Sequence, residues 1–296
     1  MKVLSLFDGI SVAQLALKGL GIIPETYYAS EIESQSILIT QHHFPNTIQL
    51  GDVTKIDFSQ FNDIDLICAG SPCTTFSSSG KRTGFDGESG LIKYFFDAIE
   101  IIKPKYFFLE NVVMKTEWEY EISKRLKCSP VLIDSALVSA QVRKRLYWTN
   151  IPLNLPVYNQ HIYLKDILET NIPEKYYIKD QDSFVMKDPL KKDKEKQICI
   201  GLKHGRNYQG SRVLSIEGKG NTLTSSKTGQ DTLLIDPETN LIRRLTPLEY
   251  ERLQTLPDNY TAIDGVCHTK RYYSVGNSWT LKVIEYLFRN LSKYNF

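Results

Sequence analysis

The chain has 296 residues, 42% of them hydrophobic, so it can bury a sizeable core as one large domain or as a domain with a smaller companion. The formal net charge is only +2, so the charge of the whole chain does not indicate a nucleic-acid partner. A local excess of positive charge would have to indicate one. No stretch approaches the roughly 18 apolar residues of a membrane span, and residues 1–7 run into Asp8-Gly9 without a cleavage-site pattern. We therefore expect a cytosolic protein with no membrane partner.

The cysteine pattern argues against a zinc-binding protein and against a dithiol redox protein. The cysteines are five in number, odd and scattered, and no C-x-x-C pair suggests a zinc site or a dithiol couple. We expect reduced thiols and no metal. The five residues are Cys68, Cys73, Cys128, Cys199 and Cys267.

Short apolar strands alternate with helical segments through the first half of the chain. Residues 2–7 are typical of a strand, Asp8-Gly9 of a tight turn and residues 12–20 of a helix. A second strand ends with Glu31, and in nucleotide-binding sheets an acidic residue at that place binds ribose hydroxyls. Further strands are predicted at 48–50, 64–69, 106–109, 131–138 and 145–151, and helices up to residue 44 and over 91–102. This alternation predicts a doubly wound α/β fold.

The alternation fails after Pro152. Up to about Leu241 the chain is polar, with short alternating pieces at 212–216 and 221–224, which predicts a smaller β-rich unit. Helical spacing returns after Thr246, a residue type that caps helices, and over 280–290, whose apolar residues suit packing on the large sheet. We therefore place a first domain at 1–178 and 265–296, and a second at 179–264.

Two reactive side chains follow predicted strands. Cys73 comes directly after the strand at 64–69 and Gly70-Ser71-Pro72, and Glu110 follows the strand at 106–109. Ligands bind beyond the carboxyl ends of the strands in open α/β sheets, which suits both residues to a site. A lone cysteine is, however, more often a buried apolar residue than a catalyst. The wider sequence context has to decide between the two.

Taken together, the motifs resemble those of the cytosine-5 DNA methyltransferases that use S-adenosylmethionine, in the family's order and over nearly the whole chain. Ser71-Pro72-Cys73, Glu110-Asn111-Val112 and Gln141-Val142-Arg143-Lys144-Arg145 are together highly specific. The remaining motifs are Phe7-Asp8-Gly9, Glu31, Asp52, Arg244-Leu245-Thr246-Pro247 with 251–254 after it, and Gly276-Asn277-Ser278.

The resemblance implies a compact bacterial or phage methyltransferase, typical of restriction-modification systems, with S-adenosylmethionine as donor. By that match Glu31 binds the ribose and Asp52 meets the adenine. The other implied cofactor contacts are Phe7, Asp8, Gly9, Ile32, Val53, Gly70, Pro72, Asn277 and Ser278. The cofactor turn departs from the family pattern, because Ser11, Val12 and Ala13 occupy the region where a second glycine is usual.

Residue chemistry agrees with this reading. Carbon 5 of cytosine is a poor nucleophile, so a thiolate has to add to carbon 6 and turn the ring into an enamine that attacks the sulfonium methyl group. We expect Cys73 to do this. A carboxylic acid at N3 and a guanidinium at O2 would stabilise the charge on the ring, and we assign them to Glu110 and Arg143, with Arg145 in the same catalytic set. The alternative for the two arginines is an exposed pair at a sheet edge.

Duplex DNA is the expected partner, and the base must leave the stack before a thiol can reach it. The segment from Lys179 to Lys219 contains ten Lys/Arg and six Asp/Glu. This excess of positive charge suits either a phosphate-binding surface or a solvated polar face. Residues 205–212 resemble the recognition loop of compact bacterial members. That match implies Ser79 and Gln209 as residues that fill the space of the base and Arg212 as the reader of a guanine edge. The charges of Lys81 and Arg82 suit phosphates, and Thr222 is the candidate for base contact if readout lies outside the loop. An ordinary hairpin loop at 205–212 is the alternative.

Two other functions stay open from the sequence. One branch of this family methylates transfer RNA, although the loop at 205–212 is more typical of a duplex-reading element. A catalytically silent DNA-binding relative is the other, and the joint presence of Cys73, Glu110 and Arg143 argues against it. We expect a monomer in either case.

Overall fold

The computed structural model describes residues 1–72, 90–154, 156–188, 193–226 and 228–293. Cys73, Ser79, Lys81 and Arg82 therefore lie outside the described residues. The chain divides into two compact units. The first comprises Met1–Ile133, Lys144–Pro156 and Val283–Phe296, and the second comprises Asp134–Arg143 and Val157–Lys282. This division by compactness differs from the predicted domain ranges, and the assignment of recognition to 179–264 stays a prediction.

The first unit is built on a seven-stranded sheet. Its strands are β1 (Lys2–Leu6), β2 (Thr26–Ser30), β3 (Ile48–Gln49), β4 (Leu66–Gly70), β5 (Tyr106–Val112), β6 (Val131–Asp134) and β7 (Lys144–Thr149), in the order β3-β2-β1-β4-β5-β7-β6. Strands β1 to β5 pair in parallel and β7 runs antiparallel to β5. The predicted doubly wound α/β fold is confirmed, with its switch of strand order between β1 and β4.

Helices pack on the sheet because its strands are apolar on their inner positions. The helices are α1 (Val12–Gly19), α2 (Ser34–His43), α3 (Ile92–Ile102), α4 (Thr116–Leu126) and, at the end of the chain, α7 (Leu281–Phe288). Side chains of β1, β4, β5 and β7 form one core with α3 and α4, and Trp148 is completely buried in it. On the opposite face Phe108 meets Phe288 edge to face, with ring centroids 5.0 Å apart. The predicted docking of the last helix on the large sheet is thus observed.

Strand β5 is longer than the sequence predicted. The prediction ended the strand before Glu110, whereas the strand runs to Val112 and places Glu110 opposite Gly70 on β4 and Tyr147 on β7. Glu110 therefore has strand partners on both sides, and Asn111 has one in Leu146 of β7, which fixes both more firmly than a loop would. Helix α4 was not predicted at all.

The second unit contains the predicted β-rich element. Its strands are β8 (Phe184–Met186), β9 (Cys199–Lys203), β10 (Arg212–Leu214), β11 (Leu233–Ile235) and β12 (Ile242–Arg244), in the order β12-β11-β10-β9-β8. Phe184, Val213, Leu233 and Ile242 form a small core. The predicted alternating piece at 221–224 is not a strand.

Two helices complete the second unit: α5 (Pro247–Leu253) and α6 (His268–Asn277). The predicted cap of α5 is confirmed, because Thr246 accepts a hydrogen bond from the Glu249 backbone N–H and the Glu249 carboxylate accepts one from Thr246. Helix α6 was not predicted. It passes so close to residue Thr224 that a Cβ on Gly276 would lie 1.8 Å from the Thr224 carbonyl oxygen, so only glycine fits there.

Candidate active site

Four neighbouring strands of the first unit bring predicted site residues to one edge of the sheet. Asp8 follows β1, Glu31 follows β2 and Ser71 follows β4, while Glu110 lies in β5. Because adjacent strands are about 4.8 Å apart, these positions span about 14 Å from β2 to β5. The edge is the carboxyl end of the parallel strands, where the sequence analysis expected a ligand.

The turn after β1 is held in an unusual backbone conformation. Phe7, Gly9 and Ser11 have φ of 58°, 60° and 58°, the left-handed region that favours glycine. The turn is fixed by hydrogen bonds from Asp8 N–H to the Ser30 carbonyl and from Gly9 N–H to Glu31 Oε2, at 3.0 and 2.7 Å. A Cβ on Gly9 would meet nothing within 4 Å, so the turn is open at that residue.

Ser11 explains how the chain manages without a second glycine. It caps α1 in the left-handed conformation and is fully buried, and its hydroxyl donates to Gln14 Oε1 at 3.2 Å. Thr47 donates to the same Gln14 oxygen at 2.9 Å. The small side chain and this local bonding let a serine take the conformation that glycine takes elsewhere, at a cost of about 1–2 kcal/mol.

Glu31, Ile32 and Asp52 suit a nucleoside. The Glu31 carboxylate accepts backbone hydrogen bonds from Gly9, Ile32 and Glu33 at 2.7 to 2.9 Å, which holds its two oxygens in place. The Ile32 side chain is 72% exposed, a large apolar surface beside that carboxylate. The backbone N–H of Thr54 bonds to Asp52 and keeps the pKa of its carboxyl below the usual value. Strand ends thus offer an apolar face flanked by two acceptors, which fits the adenosine part of S-adenosylmethionine.

The carboxyl of Asp8 is largely buried at the end of β1. Tyr27 donates its hydroxyl proton to Oδ1 at 2.8 Å, whereas Oδ2 is buried and has no hydrogen-bond partner within the described residues. Burial, with a smaller contribution from the neighbouring Glu31, raises the pKa of Asp8 to about 6 against the lowering effect of the hydroxyls of Ser5, Tyr27 and Ser11. Ionised Asp8 therefore costs the folded chain free energy near neutral pH.

The segment before the predicted nucleophile is tied to β5. Asn111 is buried, donates its side-chain N–H to Ser71 Oγ at 2.9 Å and accepts the Val112 backbone N–H on its oxygen at 2.8 Å. Ser71 is itself buried and precedes Cys73 by two residues. The Glu-Asn-Val motif and the Pro-Cys motif thus share a hydrogen bond, which fixes where the chain leaves β4.

Glu110 forms an ion pair with Arg145. The Arg145 Nε lies 2.9 Å from Glu110 Oε1, and the two side chains are only 14% and 10% exposed. Register explains the pairing, because Arg145 lies in β7 opposite Val112 of β5. A carboxylate and a guanidinium at the end of β5 are the two groups that the sequence analysis required for a cytosine ring.

Arg143 is held by main-chain carbonyls of the second unit. Its side chain is buried in the second unit and donates to the carbonyl oxygens of Leu223, Gly276 and Ser278 at 2.9, 3.4 and 3.0 Å. These contacts give Arg143 a structural role there. Arg143 as the guanidinium for cytosine O2 stays a prediction, and Arg145, the other arginine of the predicted catalytic set, is paired with Glu110.

Gln141 and Gln254 form a buried amide pair that the sequence analysis missed. Gln141 Nε2 donates to Gln254 Oε1 at 2.9 Å, and Gln254 Nε2 donates to the carbonyls of Val275 and Ser278. Ser278 is buried at the end of α6 and Asn277 is exposed. An amide at an apolar-spaced position, next to Leu253, was the available signal for Gln254.

The predicted recognition residues are linked to the Gln-x-Arg segment in the second unit. Gln209 Nε2 donates to the Thr222 carbonyl at 2.8 Å, and the Thr222 hydroxyl donates to the Val142 carbonyl at 2.5 Å. Arg212 Nε donates to Asn207 Oδ1 at 2.9 Å within the loop. Asp231, which the sequence analysis missed, accepts bonds from Thr224 and from the Tyr250 hydroxyl, and so anchors this region to α5.

Neither a metal centre nor a membrane span is apparent in the described part of the chain. No group of three or more His, Cys, Asp or Glu side chains there is arranged to hold a metal ion. No helix among the described residues is both long enough and apolar enough to cross a bilayer.

Comparisons with known proteins agree with the geometry. The chain matches the family described as C-5 cytosine-specific DNA methylase over residues 1–125 and 138–293. Type II methyltransferase M.HhaI of Haemophilus parahaemolyticus is 28% identical over 100% of this chain and 96% of that protein. Type II methyltransferase M.HpaII of Haemophilus parainfluenzae is 29% identical over 95% and 86%. The crystal structure of the S. pombe Dnmt2 methyltransferase has the same fold, with a TM-score of 0.75 over 100% of both chains and 19% identity.

The buried carboxyl of Asp8 predicts an unusual pH dependence of stability. Since its pKa is higher in the fold than in the unfolded chain, its contribution is favourable below about pH 4 and is lost as the pH rises through about 6. Asp8→Asn, which keeps an acceptor for Tyr27, should therefore gain about 1–3 kcal/mol of unfolding free energy relative to the wild type between pH 4.5 and pH 8. Urea denaturation at the two pH values measures this. A mutant-to-wild-type difference that is the same at both would contradict it.

Proposed function

We propose a function on the premise that this chain belongs to the C-5 cytosine-specific DNA methylase family: it transfers a methyl group from S-adenosylmethionine to carbon 5 of a cytosine in duplex DNA. Members of the family use S-adenosylmethionine. The observation that carries the proposal is the Glu110–Arg145 pair, placed opposite Gly70 at the strand end that leads to Cys73. DNA is proposed as the substrate because M.HhaI and M.HpaII are Type II methyltransferases.

The cofactor is proposed to lie over the ends of β1, β2 and β3. Glu31 would accept hydrogen bonds from the ribose hydroxyls, Ile32 would contact the adenine face and Asp52 would accept from its amino group. The left-handed turn at Phe7 to Gly9 would let the methionine part approach the backbone. When bound there, S-adenosylmethionine supplies an electrophilic methyl group on a sulfonium. The expected contacts of Val53, Gly70, Pro72, Asn277 and Ser278 stay predictions.

Three side chains are proposed to act on the cytosine ring, each at a different atom. The Cys73 thiolate adds to carbon 6, and the electron pair of the carbon 5–carbon 6 double bond moves into the ring. Glu110, in its acid form, donates to N3, and Arg145 donates to O2, so that the charge on the ring is stabilised as it develops. Asn111 positions this chemistry through Ser71, because it fixes the segment that carries the thiol. After methyl transfer a water molecule takes the carbon 5 proton. The electron pair of that C–H bond restores the carbon 5–carbon 6 double bond, and the bond from carbon 6 to sulfur breaks to release the Cys73 thiolate.

Residues 179–264 are proposed to read the DNA. The bond from Gln209 to Thr222, and the bond from Thr222 to Val142, support this proposal, since they join the loop at 205–212 to the segment that carries Arg143. Gln209 would fill the space of the flipped cytosine together with Ser79. Arg212 would read a guanine, while Lys81 and Arg82 would contact phosphates. The Thr222 hydroxyl is bonded to Val142, so Arg212 is the preferred candidate for base readout.

Methyl transfer to duplex DNA and to transfer RNA should be compared directly. We expect labelled methyl groups from S-adenosylmethionine to enter duplex DNA. Cys73→Ser should abolish transfer without changing the fold, because an alkoxide is far less accessible than a thiolate near pH 7. Wild-type protein should also be trapped covalently on DNA carrying 5-fluorocytosine, since fluorine cannot leave as the proton does. Transfer to RNA alone, or transfer to DNA without trapping, would overturn the proposal in its substrate or in its nucleophile.

Substitution of the two arginines of the Gln-x-Arg-x-Arg motif should affect different properties, stability for Arg143 and the rate of methyl transfer for Arg145. Arg143→Ala leaves three carbonyls without their donor and should lower the free energy of unfolding by about 2–4 kcal/mol. Arg145→Ala should reduce the rate of methyl transfer by about 100-fold to 1,000-fold, as expected for a lost charge-stabilising donor, with a smaller loss of stability. Denaturant titration and single-turnover rates per folded molecule separate the two. If Arg145→Ala keeps its rate and folded Arg143→Ala does not, the catalytic guanidinium is that of Arg143.

Residues that read a base and residues that contact phosphates should also differ in the effect of their substitution on DNA binding. Arg212→Ala should relax sequence preference at one base pair and weaken the cognate site by about 1–3 kcal/mol. Lys203→Ala serves as the matched control; it should weaken cognate and random DNA alike and lower the slope of log affinity against log salt by about one. Bisulfite sequencing of DNA methylated by each variant, with binding measured at several salt concentrations, gives both answers. Unchanged selectivity of Arg212→Ala would move readout to another residue.

A further inference from the structure

Three basic side chains of the second unit lie together, and none of them has a place in the candidate active site. Lys175 Nζ is 3.4 Å from His268 Nδ1, and a terminal nitrogen of Arg244 donates to the Lys175 carbonyl oxygen at 3.0 Å. Lys175 and His268 are exposed, and Arg244 is half-buried. They come from the segment before β8, the end of β12 and the start of α6, so tertiary structure brings them together. We call these three residues the basic cluster.

The ring of Tyr176 contacts all three members of the basic cluster. The Arg244 Cζ atom is 5.6 Å and the Lys175 Nζ atom 5.2 Å from the ring centroid, distances at which an aromatic face attracts a cation. The His268 ring is stacked on it, with an interplanar angle of 18° and centroids 6.5 Å apart. Tyr176 is buried and therefore a fixed support. Side chains that are ordered in this way lose less conformational entropy when they bind a ligand.

The positive charge of the basic cluster is not neutralised within the described residues. None of its three members takes part in an ion pair there. An arginine has five N–H donors, and Arg244 uses one for the Lys175 carbonyl and one for the Thr228 carbonyl. Its Nε is buried without a hydrogen-bond partner among the described residues. The cluster therefore has both charge and donors available for an anion.

Arg244 also connects the basic cluster to a predicted recognition segment. Thr228, whose carbonyl accepts from Arg244 at 3.0 Å, follows Thr222 by six residues. Six residues of extended chain span at most about 20 Å. Duplex DNA carries one negative charge per about 1.7 Å of its axis, so a duplex that is read by this segment would present several phosphates within that distance. A DNA phosphate is therefore the anion that the position of the cluster favours.

We propose that Lys175, Arg244 and His268 form a binding site for a backbone phosphate of duplex DNA, separate from the loop at 205–212. The inference rests on the proposed function, because it needs DNA as the substrate. Phosphate contacts carry no sequence information but fix the position and register of a protein on the duplex. The basic cluster would thus hold the DNA in place while other residues of the second unit read its bases.

A phosphate at this site should change the titration of His268. In the free protein, burial and the charges of Lys175, Arg271 and Arg244 hold the pKa of His268 below its usual value. Tyr176, whose hydroxyl is 3.2 Å from His268 Nδ1, has a raised pKa and adds no charge near neutral pH. A phosphate would favour the protonated imidazole and raise its pKa. DNA binding should therefore take up a fraction of a proton near pH 6.5, and affinity should increase as the pH falls through this range.

Binding of the full chain to a duplex of random sequence, measured at several salt concentrations, tests the proposal. Lys175→Ala should weaken binding about 3-fold to 10-fold and lower the slope of log affinity against log salt by about one, because one phosphate contact is lost. Lys175→Arg, which keeps the charge, should bind like the wild type. His268→Gln should bind DNA without the proton uptake that calorimetry in two buffers of different ionisation enthalpy measures for the wild type at pH 6.5.

Lys18→Ala is the matched control. Lys18 is an exposed lysine of the first unit, and its Nζ also lies near an aromatic ring, 5.8 Å from the centroid of Phe44. This variant should keep the affinity, the salt slope and the proton uptake of the wild type. A folded-state spectrum of each variant shows that the comparison concerns binding.

Three results would count against these assignments. If Lys175→Ala and His268→Gln match the wild type in affinity, salt slope and proton uptake, the inference is wrong although the function stands. If the NMR titration of His268 shifts with inorganic phosphate but not with the duplex, the cluster is a small-anion site and its assignment to DNA is overturned. A wild type that neither binds nor methylates duplex DNA would overturn the proposed function instead.

Discussion

The carbonyl oxygen of Ser278 is the shared hydrogen-bond acceptor that connects three segments of the second unit. It accepts a hydrogen bond from Arg143 and another from Gln254, each at 3.0 Å, so one backbone oxygen joins three sequence motifs. A buried guanidinium needs acceptors for its donors, and main-chain carbonyls satisfy them without placing a second charge in the interior. The Gln-x-Arg segment, the helix with Gln254 and the Gly-Asn-Ser segment are therefore fixed relative to one another before any ligand binds.

Much of the fold follows from the sequence because alternation is a local property. The strands up to β5, the helices between them and the cap at Thr246 could all be read from apolar spacing and turn residues. Helices α4 and α6 could not, since α4 is mostly charged on its exposed side and α6 begins with polar residues, so that neither has a long apolar run. Their packing partners are distant in sequence and decide their structure.

The site was predictable in its position and less so in its details. Strand ends placed Asp8, Glu31 and Glu110 correctly at one edge of the sheet. That Arg145 meets Glu110 depends on the register of β7 with β5, and a shift of one residue would turn Lys144 to that face instead. Ser11 is a similar case: its residue type suggested a weakened turn, whereas the backbone keeps the left-handed conformation because Gln14 and burial hold it.

The approach of Thr224 to Gly276 limits how recognition segments can be exchanged between relatives. No side chain fits between the Thr224 carbonyl and α6. The two backbone segments therefore have to be transferred together. A chimera that ends its donor segment between 221 and 276 would join a foreign backbone path to this helix and lose the fit. Exchange points placed outside that interval, or confined to the loop at 205–212, leave the contact intact, so the proposed role of that loop in reading DNA can be tested without a change in α6.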